Sequence, residues 1–217
     1  MREQIMAMVD QEKIIAILRG ANPEQCLLVA DALYAGGIRL MEITFNQKNP
    51  ASFEETAEAI RAISEKYAGR MLVGAGTVTT PELVELAAEA GAKYIISPDM
   101  NPAVIRRTRE LGLVSMPGAM TPSEVMQAHW NGADYVKLFP AGNLGVGYVK
   151  AIRAPISHVK MLAVGGVNEN NVTDFLKAGM VGAGIGGNLA NKTWIEAGEY
   201  HKITETAQKL VAAVKGV

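Results

Sequence analysis

The sequence predicts a closed (β/α)8 TIM barrel, one α/β domain over residues 1–217, and three observations carry that prediction. First, one junction recurs. An amphipathic stretch ends at Ala-Gly, Leu-Gly or Asn-Gly and a short apolar run follows, as in LYAGGIRLMEIT (33–44), AEAGAKYIISP (88–98), RELGLVSMPG (109–118), HWNGADYVKLFP (129–140) and LKAGMVGAGIGG (176–187). A glycine just past a helix readily takes the left-handed conformation that ends it, and an unbroken apolar run fits a parallel strand covered on both faces. Second, Asn22-Pro23, Thr80-Pro81, Asn101-Pro102 and Thr121-Pro122 each set a capping side chain before a proline at the first helical position. Third, eight such units share the chain at about 27 residues each, near the minimum for closure. An open doubly wound sheet shows the same alternation and is the alternative fold.

The elements follow in order. KIIAIL (13–18) is the first strand, and the Asn22-Pro23 start opens a helix through CLLVADAL that ends at the Ala-Gly before IRLMEIT (38–44). Helical spacing then leads to MLVGA (71–75), and Thr80-Pro81 to the helix before KYIIS (93–97). Asn101-Pro102 precedes LVSMP (113–117), and Thr121-Pro122 precedes DYVKLF (134–139). VKMLAV (159–164) and VGAGIG (181–186) complete the eight strands, with a last helix near 200–214. No linker, low-complexity tract or charge block divides the chain, so no internal boundary is drawn.

Composition narrows the function. With 49% apolar and 20% charged residues the chain is ordinarily globular, and a net charge of -1 supplies no field for a nucleic acid or an anionic membrane. The single cysteine, Cys26, rules out a disulfide framework and a cysteine-rich metal site. The segment MREQIMAMVDQEK is too mixed for a signal peptide, and no apolar run reaches membrane-spanning length, so a cytoplasmic protein is expected.

The sixth strand places a lysine inside an apolar run. Side chains alternate, so Val136 and Leu138 are expected to meet the outer helices while Tyr135, Lys137 and Phe139 face the interior. Lys13, Lys93 and Lys160 fall at strand beginnings, where water reaches them; Lys137 sits late in its strand. A lysine snorkelling to solvent is the plain alternative. The same parity on the second strand sends Leu40, Glu42 and Thr44 inward, and alternate strands share a barrel layer, which brings a carboxylate toward the amine. A purely structural ion pair explains this poorly, because desolvation offsets much of its Coulomb energy. Desolvation favours the neutral amine, which attacks a carbonyl and forms a Schiff base; Glu42 is placed to move the protons. Such chemistry requires no metal and no organic cofactor, and His129, His158 and His201 fall away from the C-terminal ends of strands.

An anion site is expected beside it. The seventh and eighth strands run into AVGGVNENN (163–171) and GAGIGGNLANK (182–192), whose paired glycines allow backbone N–H groups close to an anion, with helix starts behind them. Loops after these two strands are the usual phosphate cradle of the fold. Arg19, at the end of IIAILRG, adjoins the eighth strand and offers a guanidinium fork to the same anion. Simple turns and a solvated surface arginine are the competing accounts.

With these residues in place, the chain resembles the family of class I aldolases acting on 2-keto-3-deoxy-6-phosphogluconate (KDPG) and 4-hydroxy-2-oxoglutarate (KHG). IIAILRG, MEIT, VGAGTV, ISPDMN, MPGAMTPSE, VKLFPA, AVGGVN and GIGGN occur in family order from Lys13 to Asn188. The resemblance implies a homotrimeric TIM barrel that cleaves a phosphorylated keto acid to pyruvate and glyceraldehyde 3-phosphate. It makes Lys137 the Schiff-base lysine, Glu42 the general acid/base and Thr77 a contact for the pyruvyl carboxylate. Phe139 and Pro98 would wall the pocket, and Arg19, Gly165, Gly166, Gly186, Gly187 and Asn188 would hold the sugar phosphate. Three positions depart from the pattern: Asn46 stands where well-known members carry an arginine for the substrate carboxylate, Val164 where a threonine often precedes the first glycine pair, and Asn188 where a serine often follows the second. A metal-dependent epimerase is the runner-up, lacking histidines at strand ends. A phosphosugar sensor has no need to bury both Lys137 and Glu42.

Overall fold

A computed structural model describes residues 2–217. Nine parallel strand segments form one sheet: β1 (Ile14–Leu18), β2 (Leu40–Thr44), β3 (Leu72–Gly76), β4 (Tyr94–Ile96), β5 (Val114–Met116), β6 (Gly118–Ala119), β7 (Val136–Leu138), β8 (Met161–Val164) and β9 (Gly182–Ile185). Their spatial order is β5-β4-β3-β2-β1-β9-β8-β7-β6. The end segments β5 and β6 are two halves of one strand, divided at Pro117, which has no N–H to give to a ladder. Tyr135 N–H donates to Ser115 O at 3.2 Å and Lys137 N–H to Pro117 O at 2.8 Å, so β7 is stitched along both halves and the sheet closes. The eight expected strands are therefore present, most of them trimmed by one to three residues and β3 displaced by one, and the open-sheet alternative is set aside.

The junction chemistry explains where the helices start and stop. Asn22, Thr80, Asn101 and Thr121 cap α2 (Pro23–Ala35), α4 (Pro81–Glu89), α5 (Pro102–Glu110) and α6 (Pro122–Trp130), each side chain accepting a backbone N–H of the first turn. The expected stop glycines Gly37, Gly91, Gly112, Gly132 and Gly179 all lie at positive φ. The remaining helices are α3 (Phe53–Lys66), α7 (Ala141–Arg153), α8 (Val172–Lys177), α9 (Lys192–Glu196) and α10 (Tyr200–Val214). Among the described residues, no helix is long and apolar enough to cross a membrane.

One element goes unread in the sequence. Arg2–Glu12 forms α1, whose Ile5 and Val9 join the cluster inside the barrel with Ile15, Leu40, Val114, Tyr135 and Leu162. The helix plugs the N-terminal rim with only two buried residues, so its apolar periodicity is too sparse to mark it. The larger cluster lies between sheet and helices and contains Val136 and Leu138, as their parity requires.

Glycines hollow the interior where large side chains must fit. A Cβ at Gly74 would overlap the ring of Tyr94, and a Cβ at Gly76 would overlap the carboxylate of Glu42. Tyr94, fully buried, donates its hydroxyl to Met41 O at 2.7 Å. Here β3 forgoes side chains so that its neighbours can reach the axis.

Candidate active site

Lys137 and Glu42 both face the interior, 3% and 0% exposed. Glu42 is paired in register with Ile17 on one side and Gly74 on the other, and Lys137 with Gly118 and Leu162. Both carboxylate oxygens of Glu42 are buried without a hydrogen-bond partner. Burial pushes the Glu42 carboxyl above its ordinary range, against the pull of the nearby Lys137 and Arg19 cations. Burial likewise lowers Lys137, opposed by the attraction of Glu42 and aided by repulsion from Arg19. The two shifts favour the same arrangement, an uncharged amine beside an uncharged acid. An amine free of its proton is a nucleophile, and a carboxyl that holds its proton more tightly than usual can donate it.

Above Lys137 opens a cleft of ≈ 420 Å³ lined by Arg19, Lys137, Phe139, Val164, the glycines 165, 166, 184, 186 and 187, and Asn188. Gly165 and Gly166 both have positive φ, and a Cβ on either would crowd a neighbour, the Phe139 ring or Gly142. The side chain of Asn188 donates to Val167 O at 3.4 Å, tying the loop after β9 to the loop after β8. Among the described residues, the N–H groups of Gly166, Gly187 and Asn188 donate to no protein acceptor. The helix starts expected behind these loops are less direct. Helix α8 begins only at Val172, and the second glycine pair enters a turn in which Leu189 and Ala190 N–H both donate to Gly186 O. Asn191 then caps the five-residue α9.

The other side of the mouth is built from β1 and β3. The guanidinium of Arg19, the residue after β1, donates from Nη1 to Thr77 Oγ1 at 3.1 Å while the side chain lines the same cleft as the glycine loops. Thr77 has φ +56°, a conformation that costs a β-branched residue strain, and Gln47 Nε2 donates to its carbonyl at 2.8 Å. Pro98 is exposed at the end of β4, its carbonyl against Gly118, outside the Lys137 cleft. Asn46 also lies outside. It lines a separate ≈ 200 Å³ cavity with Gly20, Asn22, Thr44 and Ser52, and its Oδ1 accepts the N–H of Lys48 at 3.1 Å. Gln47 and Gly76 escaped the sequence reading; the GAGTV motif draws attention to Thr77 but not to the glycine that makes room for Glu42.

A closed parallel barrel with a buried lysine and a buried, unpartnered carboxyl at its C-terminal mouth has the form of a covalent-catalysis site. Comparison with known proteins gives the family. A family model described as KDPG and KHG aldolase matches residues 5–206, and the chain belongs to that family. It is 36% identical over 203 residues to the 2-dehydro-3-deoxy-6-phosphogalactonate aldolase of Escherichia coli (strain K12), covering 93% of each chain. It is 40% identical over 180 residues to a probable 2-dehydro-3-deoxy-6-phosphogalactonate aldolase of Rhizobium meliloti (strain 1021), covering 82% of each. The crystal structure of a KDPG aldolase from Legionella pneumophila, with pyruvate captured at low pH as a covalent carbinolamine intermediate, superposes with a TM-score of 0.84. It is 27% identical and covers 94% of this chain and 96% of that one.

Proposed function

We propose that the chain is a class I pyruvate aldolase that splits a 2-keto-3-deoxy-6-phospho sugar acid into pyruvate and glyceraldehyde 3-phosphate. The observation that carries this is the buried amine of Lys137 facing a carboxyl whose two oxygens have no protein partner. The neutral amine adds to the C2 carbonyl, and the protonated Glu42 gives its proton to the carbinolamine hydroxyl, which leaves as water; this leaves a carboxylate on Glu42 and an iminium that draws electrons from C3. Glu42 accepts the C4 hydroxyl proton as the C3–C4 bond breaks, releasing the aldehyde and leaving an enamine. Glu42 then returns the proton to C3, and hydrolysis frees pyruvate and the amine. A carboxyl raised by burial suits both halves of that exchange.

The glycine loops after β8 and β9 are the phosphate end, their free N–H groups serving as donors to a dianion. Within the substrate class, the galactonate isomer is favoured by the names of the two relatives. Measuring pyruvate release from the 6-phosphogalactonate and 6-phosphogluconate keto acids, and from 4-hydroxy-2-oxoglutarate, tests this. The galactonate isomer should give the highest kcat/KM; faster cleavage of the phosphate-free acid would contradict the phosphate end. A cytoplasmic homotrimer is the assembly that the family likeness favours, and sedimentation velocity tests it: a monomer at working concentration would overturn it.

A further inference from the structure

We infer that Tyr94 is a positioning residue for Glu42, anchoring from inside the barrel the strand that carries the carboxyl; this rests on the aldolase activity proposed above. Tyr94 is fully buried and belongs to the cluster inside the barrel, with Ile17 and Leu40. It stands on β4, which is separated from β2 by β3. Its hydroxyl nonetheless reaches β2, donating to Met41 O at 2.7 Å, with Leu72 O of β3 a longer contact at 3.4 Å. Met41 immediately precedes Glu42, so the bond is made to the peptide group that joins the carboxyl-bearing residue to its strand. A buried tyrosine hydroxyl needs an acceptor. Among the carbonyls of three strands, this one takes the acceptor at the base of Glu42.

The route across β3 is open because Gly74 has no side chain. Gly74 is paired in register with Glu42, and a Cβ there would overlap the Tyr94 ring. Two residues on, a Cβ at Gly76 would overlap the Glu42 carboxylate. Alternate residues of a strand share a face, so the two glycines clear successive inward positions roughly 7 Å apart along β3. The ring fills the lower space and the carboxylate the upper one. Ile17, the register partner of Glu42 on β1, belongs to the same inner cluster as Tyr94 and gives the carboxyl an apolar flank. Burial, and after it the charge of Glu42, holds the Tyr94 hydroxyl protonated. It is therefore a fixed donor to the backbone and takes no part in moving protons. Its contribution is to hold β2 at the height from which the carboxyl meets a molecule bonded to Lys137.

The test uses pyruvate alone and four proteins: wild type, Tyr94→Phe, Glu42→Gln and the double variant. Two quantities are read, the pyruvate concentration that half-saturates borohydride trapping on Lys137 and the rate at which bound pyruvate exchanges its methyl protons with solvent. Tyr94→Phe keeps the ring and removes only the anchor. It should slow exchange about 10- to 100-fold, as expected for a reacting group displaced by up to 1 Å, and leave half-saturation unchanged. Because the hydroxyl acts through Glu42, adding Tyr94→Phe to Glu42→Gln should slow exchange by no more than about twofold further. Exchange at wild-type speed in Tyr94→Phe, or the same factor lost in both backgrounds, would overturn the inference and leave the hydroxyl a purely structural group. Phenylalanine fits the same space, so the barrel stays packed, and a cooperative melting curve for each variant checks this. Absence of an adduct in wild type would sink the aldolase activity itself, and this inference with it.

Discussion

At the N-terminal rim of the barrel, Asp134 is 3% exposed and well bonded: it accepts the N–H of Ser115 at 2.9 Å and Arg109 Nη1 at 3.0 Å, with Arg2 Nε at 3.4 Å. Asp10 accepts the Tyr135 hydroxyl at 2.8 Å and Lys160 at 2.6 Å, which ties α1 to the strands above it. At the C-terminal rim, Glu42 is equally buried and has none of this. The first arrangement compensates desolvation with hydrogen bonds and fixes elements in place; the second leaves a costly group uncompensated. Asp134 and Glu42, two acids with side chains buried to similar depths on one scaffold, thus separate by their partners. Those with partners hold the fold, and the one without is ready for a reacting molecule.

The largest effect should come from Lys137→Met, which removes the amine and keeps an unbranched stem. Aldol cleavage should vanish while the denaturation midpoint stays equal or rises, since an apolar side chain replaces a buried polar one. Turnover well above the uncatalysed rate in the purified variant would break the contrast between the rims. Glu42→Gln should follow, with kcat reduced ~100- to 10,000-fold, the size of a positioned proton-transfer group. It also carries a pH signature. The folded state of Glu42 has a raised pKa, so between the ordinary carboxylate value and the raised one the native state binds more protons than the unfolded state, and stability falls as pH rises through that window. Denaturant midpoints of the variant should therefore gain on wild type with rising pH; a constant difference would mean that burial does not shift the group.

Next comes Gly76→Ala. The added methyl would occupy the space of the Glu42 carboxylate and displace it, and a displacement of about 1 Å costs on the order of 100-fold in rate. Pyruvate should still form its adduct on Lys137, while exchange of the pyruvate methyl protons slows; exchange at wild-type speed would show that Glu42 needs no such room. Smallest in catalysis is Asp134→Ala. Leaving the buried Ser115 N–H unsatisfied should cost ~1–3 kcal/mol of stability, read from the denaturation midpoint, with kcat unchanged. A large fall in kcat at unchanged stability would erase the distinction between the two rims.

Much of this was legible in the sequence. Capping residues before prolines and glycines after helices are local signals, and each expected helix start and stop drawn from them lies where the structure puts it. Parity along two short apolar runs was enough to send Lys137 and Glu42 inward, because a covered strand leaves few choices. What stayed hidden depends on distance or on rotamers. Pro117 sits inside an apolar run, and only pairing on both sides reveals a divided strand. Arg19 meets Thr77 across 58 positions of sequence, through a side chain whose direction no pattern specifies. The separation of Asn46 from the cleft follows from its turn onto Lys48, visible only in three dimensions. Local rules read the scaffold and the buried pair; the direction taken by a flexible arginine at the barrel mouth they do not.

The central claim is that Lys137 is a neutral amine poised to bond a keto acid, and borohydride reduction in the presence of pyruvate tests it most directly. The wild-type protein should gain one reduced pyruvyl group, on the peptide containing Lys137, and lose activity in step with labelling, while Lys137→Met stays unlabelled. An unlabelled Lys137 peptide, or labelling spread over the exposed lysines without loss of activity, would contradict it.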